Sequence, residues 1–91
     1  MENITTYLKG KITAERVQEI RNSLTNSLSK GRNINICCKG VEKTDLAGFN
    51  ALVIAHMAAA RLDKVLHYVN CQEPKLTDFI SQTQFGHVFI S

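Results

Sequence analysis

The chain has 91 residues and a formal net charge of +3, from 11 Lys and Arg against 8 Asp and Glu, and 44% of its residues are hydrophobic. That length supports one domain over residues 1–91 and leaves no room for a separate catalytic domain, and the near-average composition excludes disorder, collagen-like repeats and low-complexity linkers. No apolar run reaches the roughly 20 residues of a membrane span, and Met1-Glu2-Asn3 lacks a secretory leader's basic and apolar segments, so a soluble cytoplasmic domain without membrane insertion is expected.

The run Ile4-Thr5-Thr6-Tyr7-Leu8 is β-branched and aromatic and predicts a short strand that stops before Lys9-Gly10, with Gly10 as a turn. Thr13 stands in N-cap position before Ala14-Glu15-Arg16, and Glu15 and Glu19 favour the positive end of a helix dipole. Val17, Ile20, Leu24 and Leu28 then recur at spacings of three and four, the stripe of a helix ending at Gly31. Gln18, Arg21, Asn22, Thr25 and Asn26 form its water-facing side.

Asn33 to Cys38 alternates Ile34, Ile36 and Cys38 against Asn33, Asn35 and Cys37 and predicts an inner strand that breaks at Lys39-Gly40. After the connector Val41-Glu42-Lys43-Thr44, Asp45 caps a second helix, about Leu46 to Arg61, apolar around most of its circumference. Val65 to Val69 reads as a third strand. Pro74 fits the first turn of a third helix with Leu76, Phe79 and Ile80 inward. Gln82 to Gly86 reads as a loop, and His87-Val88-Phe89-Ile90 as a last strand. Strands alternating with helices imply an α/β fold with right-handed crossovers and a largely parallel sheet, the Ile34–Ile36 and Val65–Leu66 strands inside and the N-terminal strand at an edge.

Little in the chain carries catalytic chemistry. It has no G-x-S-x-G elbow, no G-x-G-x-x-G or phosphate-binding loop and no H-x-x-x-H or H-E-x-x-H pair. His56 falls within the apolar second helix as a core or partly exposed residue, His67 on a sheet face, and His87 near the C-terminus without an obvious partner. Cys37, Cys38 and Cys71 lack metal-site or disulfide spacing and read as buried thiols, so neither metal nor other cofactor is expected. Adjacent cysteines on a strand point to opposite faces, which argues against a Cys37–Cys38 disulfide. The cations are scattered from Lys9 to Lys75, which argues against nucleic acid as a partner.

The segment Val41 to Leu52 stands apart. It follows a strand and opens a helix, gathering Asp45 with the free N–H groups of Leu46, Ala47 and Gly48 at the helix mouth. Gly within a first turn lowers helix propensity by up to about 1 kcal/mol relative to Ala, so Gly48 implies close approach by another backbone or a partner surface.

With the element order and the Ile34–Cys38 strand, the stretch Thr44-Asp45-Leu46-Ala47-Gly48-Phe49-Asn50-Ala51-Leu52 resembles the STAS domain of bacterial anti-sigma factor antagonists and of the small STAS subunit of phospholipid ABC transporters. Leu8-Lys9-Gly10-Lys11-Ile12 is similar to the family's early strand with its glycine, Tyr68-Val69-Asn70 to its fourth strand, and Phe85-Gly86-His87-Val88-Phe89 loosely to its closing segment. The resemblance implies a mixed, mostly parallel sheet of four to five strands with three to four helices, and a binding module rather than an enzyme. In the family motif, D-[ST]-[SA]-G, a Ser at the third position is phosphorylated by an anti-sigma kinase, placing about −2 charge at the helix start. Here that position is Ala47, which cannot accept phosphate, and Leu46 replaces the usual hydroxyl residue. Thr44 is the substitute acceptor to be weighed.

Thr44, Asp45, Leu46, Ala47, Gly48 and Asn50 are thus the expected partner-binding residues. Two functions follow from the resemblance: an unswitched regulator docking on an anti-sigma factor or kinase-like protein, or the STAS accessory subunit of an ABC transporter binding its ATPase. A small enzyme using the Asp45 helix mouth as an anion site lacks an accompanying nucleophile or base. Oligomeric state is left open by the edge strands.

Overall fold

The computed structural model describes residues 3–90. In chain order these form β1 (Asn3–Ile12), a 3-10 turn (Ala14–Arg16), α1 (Val17–Leu28), β2 (Asn33–Thr44), α2 (Leu46–Arg61), β3 (Val65–Val69), α3 (Pro74–Gln82), a second 3-10 turn (Gly86–Val88) and β4 (Phe89–Ile90).

Local chemistry accounts for most of these boundaries. Asp45 caps α2, its carboxylate accepting the Gly48 N–H, and Pro74 opens α3 behind Glu73, whose carboxylate accepts the Lys75 and Leu76 N–H groups. Thr13 departs from its expected role. Its hydroxyl donates to Glu15 at 3.1 Å instead of capping, and the chain passes through the 3-10 turn before α1. Ile20, Leu24 and Leu28 are buried along α1 as their spacing requires, with Val17 half-buried, while Gln18, Arg21, Asn22, Thr25 and Asn26 are exposed.

Three full strands carry the sheet, and the two-residue β4 extends it in the order β1-β2-β3-β4. Every described pairing is parallel, so the mixed component expected of the sheet is not found among the described residues. The last strand is shorter than the expected His87–Ile90 because Val88 N–H donates to Phe85 O and coils residues 86–88.

The first two strands correct the sequence reading. Neither Lys9-Gly10 nor Lys39-Gly40 ends its strand: β1 runs to Ile12 and β2 to Thr44, paired through register shifts that align Lys9 with Gly40, Gly10 with Val41, Lys11 with Lys43 and Ile12 with Thr44. Gly10 sits at φ 74°, a conformation open to glycine at little cost, and so makes an irregularity within the strand rather than a turn. Arg16 spans it, donating at 2.8 Å to both Lys9 O and Lys11 O, which satisfies two carbonyls of the edge strand. The two strands therefore continue as a ribbon past the end of β3, whose pairing stops at Cys37–Val69.

One sheet face is packed beneath the helices. Leu8, Ile12, Ile34, Ile36, Cys38, Leu66 and Tyr68 meet Ile20, Leu24 and Leu28 of α1 and Phe49, Leu52, Ala55 and Ala59 of α2 in a single buried cluster. Each large aliphatic side chain removed from water there contributes about 1.5–3 kcal/mol. A chain of stacked rings, Phe79–Phe49–Phe89–Tyr68, with centroids 4.9–5.3 Å apart, joins α3, α2, β4 and β3. Fully buried Tyr68 donates its hydroxyl to Leu52 O at 2.7 Å, and the Thr6 and Ser27 hydroxyls meet at 2.6 Å between β1 and α1. On the opposite face, Thr5 and Tyr7 of β1 and Val65 of β3 are exposed and Asn35, His67 and Val69 half-buried, with Cys37 alone of this group buried.

Candidate functional site

The ribbon formed by β1 and β2 delivers the chain to the mouth of α2. At its end Asp45 N–H donates to Ile12 O at 3.1 Å, and the Asp45 carboxylate then divides its two oxygens. Oδ1 accepts from Gly48 N–H at 2.8 Å, closing the first turn of α2, while Oδ2 accepts from Ala14 N–H at 3.0 Å at the start of the first 3-10 turn. One side chain thus ties together the chain segments that follow β1 and β2. The N–H groups of Gly48 and Ala14 hold the Asp45 carboxyl below its ordinary value of 3.8, and nearby Lys43 adds to this.

Gly48 is buried, and a Cβ built there would lie 1.9 Å from Ile12 O and 2.4 Å from Ile12 C. The close approach implied by its position in the first turn is therefore made by the chain's own backbone at the end of β1. Thr44 is also inside. It is 3% exposed, and its hydroxyl oxygen is shut off from solvent with no hydrogen-bond partner. The six residues singled out from the sequence accordingly split: Leu46, Ala47 and Asn50 are exposed, Asp45 is half-buried with both oxygens engaged, and Thr44 and Gly48 are buried.

Leu46 gives the exposed group its apolar character, with 59% of its surface in water. Beside it, Leu46, Phe49 and Asn50 of α2 line an open cleft with Phe79, Gln82 and Thr83 at the end of α3. Further along α2, Ile54 and Met57 are exposed as well. The high apolar content of α2 was visible in the sequence; which of its residues remain outside depends on how α1 and α3 pack on it.

The other groups capable of chemistry are held in the core or lack partners for a site. Contact with Cys71, then burial, pushes the Cys38 thiol far above the ordinary thiol range, and Cys37 on the opposite face accepts from Asn70 Nδ2 at 3.3 Å. His56 and His87, unconnected in the sequence reading, approach with ring centroids 6.0 Å apart, and Phe85 lies 6.1 Å from His56. Among the described residues no group of three or more His, Cys, Asp or Glu is placed to hold a metal ion, and no helix is long and apolar enough to cross a membrane.

The family model for the STAS domain matches residues 2–90, essentially the whole chain. No curated protein matches it. STAS domains are generally non-catalytic modules that bind protein partners.

Proposed function

The chain belongs to the STAS domain family, and on that premise we propose that it is a protein-docking regulator of the anti-sigma factor antagonist kind that engages its partner through the start of α2 without a phosphorylation switch. The observation that carries this reading is the exposed Leu46 beside exposed Ala47 and Asn50, on a helix start held in place by Asp45 and Gly48. An apolar side chain flanked by a polar one, on a helix start already fixed in place, is how a small interface anchors a partner without ordering its backbone. In this reading Leu46, Ala47 and Asn50 meet the partner, and Thr44, Asp45 and Gly48 shape the surface from beneath. Residues 1–91 act together as one domain.

Ala47 favours a second reading. The exposed position where a switched antagonist has its phosphorylated Ser offers no hydroxyl, and Thr44 buries its own, so the surface suits a permanent assembly such as the STAS subunit of an ABC-type phospholipid transporter bound to its ATPase. Neither role requires a cofactor.

Capture of the tagged domain's partners from native cytosol and from solubilised membranes, identified by mass spectrometry, tests both readings when run beside an Ala47→Glu variant. A kinase-like ATPase or sigma regulator retained by the parent and lost by the variant supports the regulator; an ABC ATPase with its permease, lost in the same way, supports the transporter subunit. Partners retained equally by Ala47→Glu would remove the start of α2 from the interface.

A further inference from the structure

Folding gathers four lysines that the sequence keeps in two separate stretches. Lys9 and Lys11 on β1 and Lys39 and Lys43 on β2 all lie at or near the end of the ribbon that overruns β3, and all four are exposed. Each is exposed beside a residue buried beneath the helices (Leu8, Ile12, Cys38 and Thr44 respectively), and the register shifts at this end leave Lys39 and Glu42 outside the strand pairing. Lys11 and Lys43 are register partners on strands about 4.8 Å apart, and like charges side by side on a sheet oppose its formation. No lysine of the four forms an ion pair among the described residues, where Arg16 and Glu19 are paired. Of the acidic residues at this end, Glu42 is exposed within the ribbon, and Asp45 has both oxygens engaged by backbone N–H groups.

We propose that this lysine array is a docking surface for an acidic segment of a protein. The inference does not rest on the reading of the α2 start: it concerns lysines of the ribbon and another chemistry, with Lys43 lying close to Asp45 at the border of the two. Its argument is charge complementarity: a carboxylate between Lys11 and Lys43 would replace their mutual repulsion by two attractions. A protein segment fits better than nucleic acid because, among the described residues, the uncovered face of the sheet offers Tyr7 as its one exposed aromatic ring, where base stacking uses several in succession.

The test titrates the isotopically labelled chain with decaglutamate, oligothymidine and phosphatidylglycerol vesicles at low salt, following its amide resonances. Lys11→Glu is the accompanying variant, because it turns the repelling pair into an attracting one and so preserves the fold. The expected result is decaglutamate shifts centred on Lys9, Lys11, Lys39 and Lys43, with affinity lowered about tenfold or more in Lys11→Glu and melting temperature unchanged or raised. Shifts elsewhere, no shifts, or equal affinity in the variant would overturn the inference. Tighter binding of oligothymidine or of vesicles at the same residues would also overturn it, in favour of a nucleic-acid or a membrane surface.

Discussion

Gly48 in the first turn of α2 packs directly on the carbonyl of Ile12 at the end of β1, so closely that a Cβ at position 48 would overlap the Ile12 oxygen at 1.9 Å. That oxygen also accepts the Asp45 N–H and so cannot swing away without breaking the junction of β2 with α2. Gly48→Ala should therefore destabilise the chain by about 3 kcal/mol or more, at the upper end of overpacking costs, although Ala is the better helix former by about 1 kcal/mol. Urea unfolding measures it; a stabilised variant would mean that the two segments are not in contact.

Asp45 links stability to pH through the same junction. Its carboxyl is held below 3.8 by the N–H groups of Gly48 and Ala14, so its ionised form stabilises the fold. A depressed carboxyl pKa contributes stability that is complete above the unfolded value and lost as pH falls through the folded one. Asp45→Ala should cost about 0.5–2 kcal/mol at neutral pH, the range for a lost helix cap. The gap between parent and variant should narrow below pH 3.8, and unfolding followed across that range checks the direction.

The hydroxyl of Tyr68 is sealed in the core on Leu52 O, and burial holds its pKa well above 10. Tyr68→Phe keeps the ring stack with Phe89 and removes only this donor, for an expected loss of about 0.5–1.5 kcal/mol. Leu28→Ala instead empties apolar volume in the core that α1 shares with α2 and the sheet and should cost about 2–5 kcal/mol. If denaturant unfolding ranked the two in reverse, the α1 stripe would be mispacked.

What the sequence disclosed and what it concealed divide along a physical line. The starts of α2 and α3 rest on neighbours in the chain, Asp45 on Gly48 and Pro74 in the first turn, and were legible as patterns. The length of β1 and β2 was not, because a glycine within a strand and a glycine in a turn look alike until the partner strand is known; here Lys9 pairs with Gly40 and Gly10 with Val41. The same gap hid the lysine array. It also hid the burial of Thr44, which depends on Ile12 being its partner across the ribbon. At the candidate site, the motif marked the helix mouth correctly as a place of close approach, but whether Gly48 met its own chain or another protein was a tertiary question.

Ala47→Glu is informative only if the fold survives it, and the geometry argues that it does. Ala47 is exposed at the second position of α2, so the longer side chain enters solvent without displacing the core. A carboxylate in the first turn gains about 0.3–1 kcal/mol from the helix dipole, offset by the slightly poorer helix propensity of Glu and by repulsion from ionised Asp45. The net change in stability should lie within about 0.5 kcal/mol of zero, and the melting temperature should move by a few degrees at most. Leu46→Ala, which shortens an exposed side chain, should be equally mild for the fold while weakening the same partner. Both variants folded and both impaired in partner capture would locate the contact at the start of α2; both folded and both unimpaired would assign partner binding to a different surface.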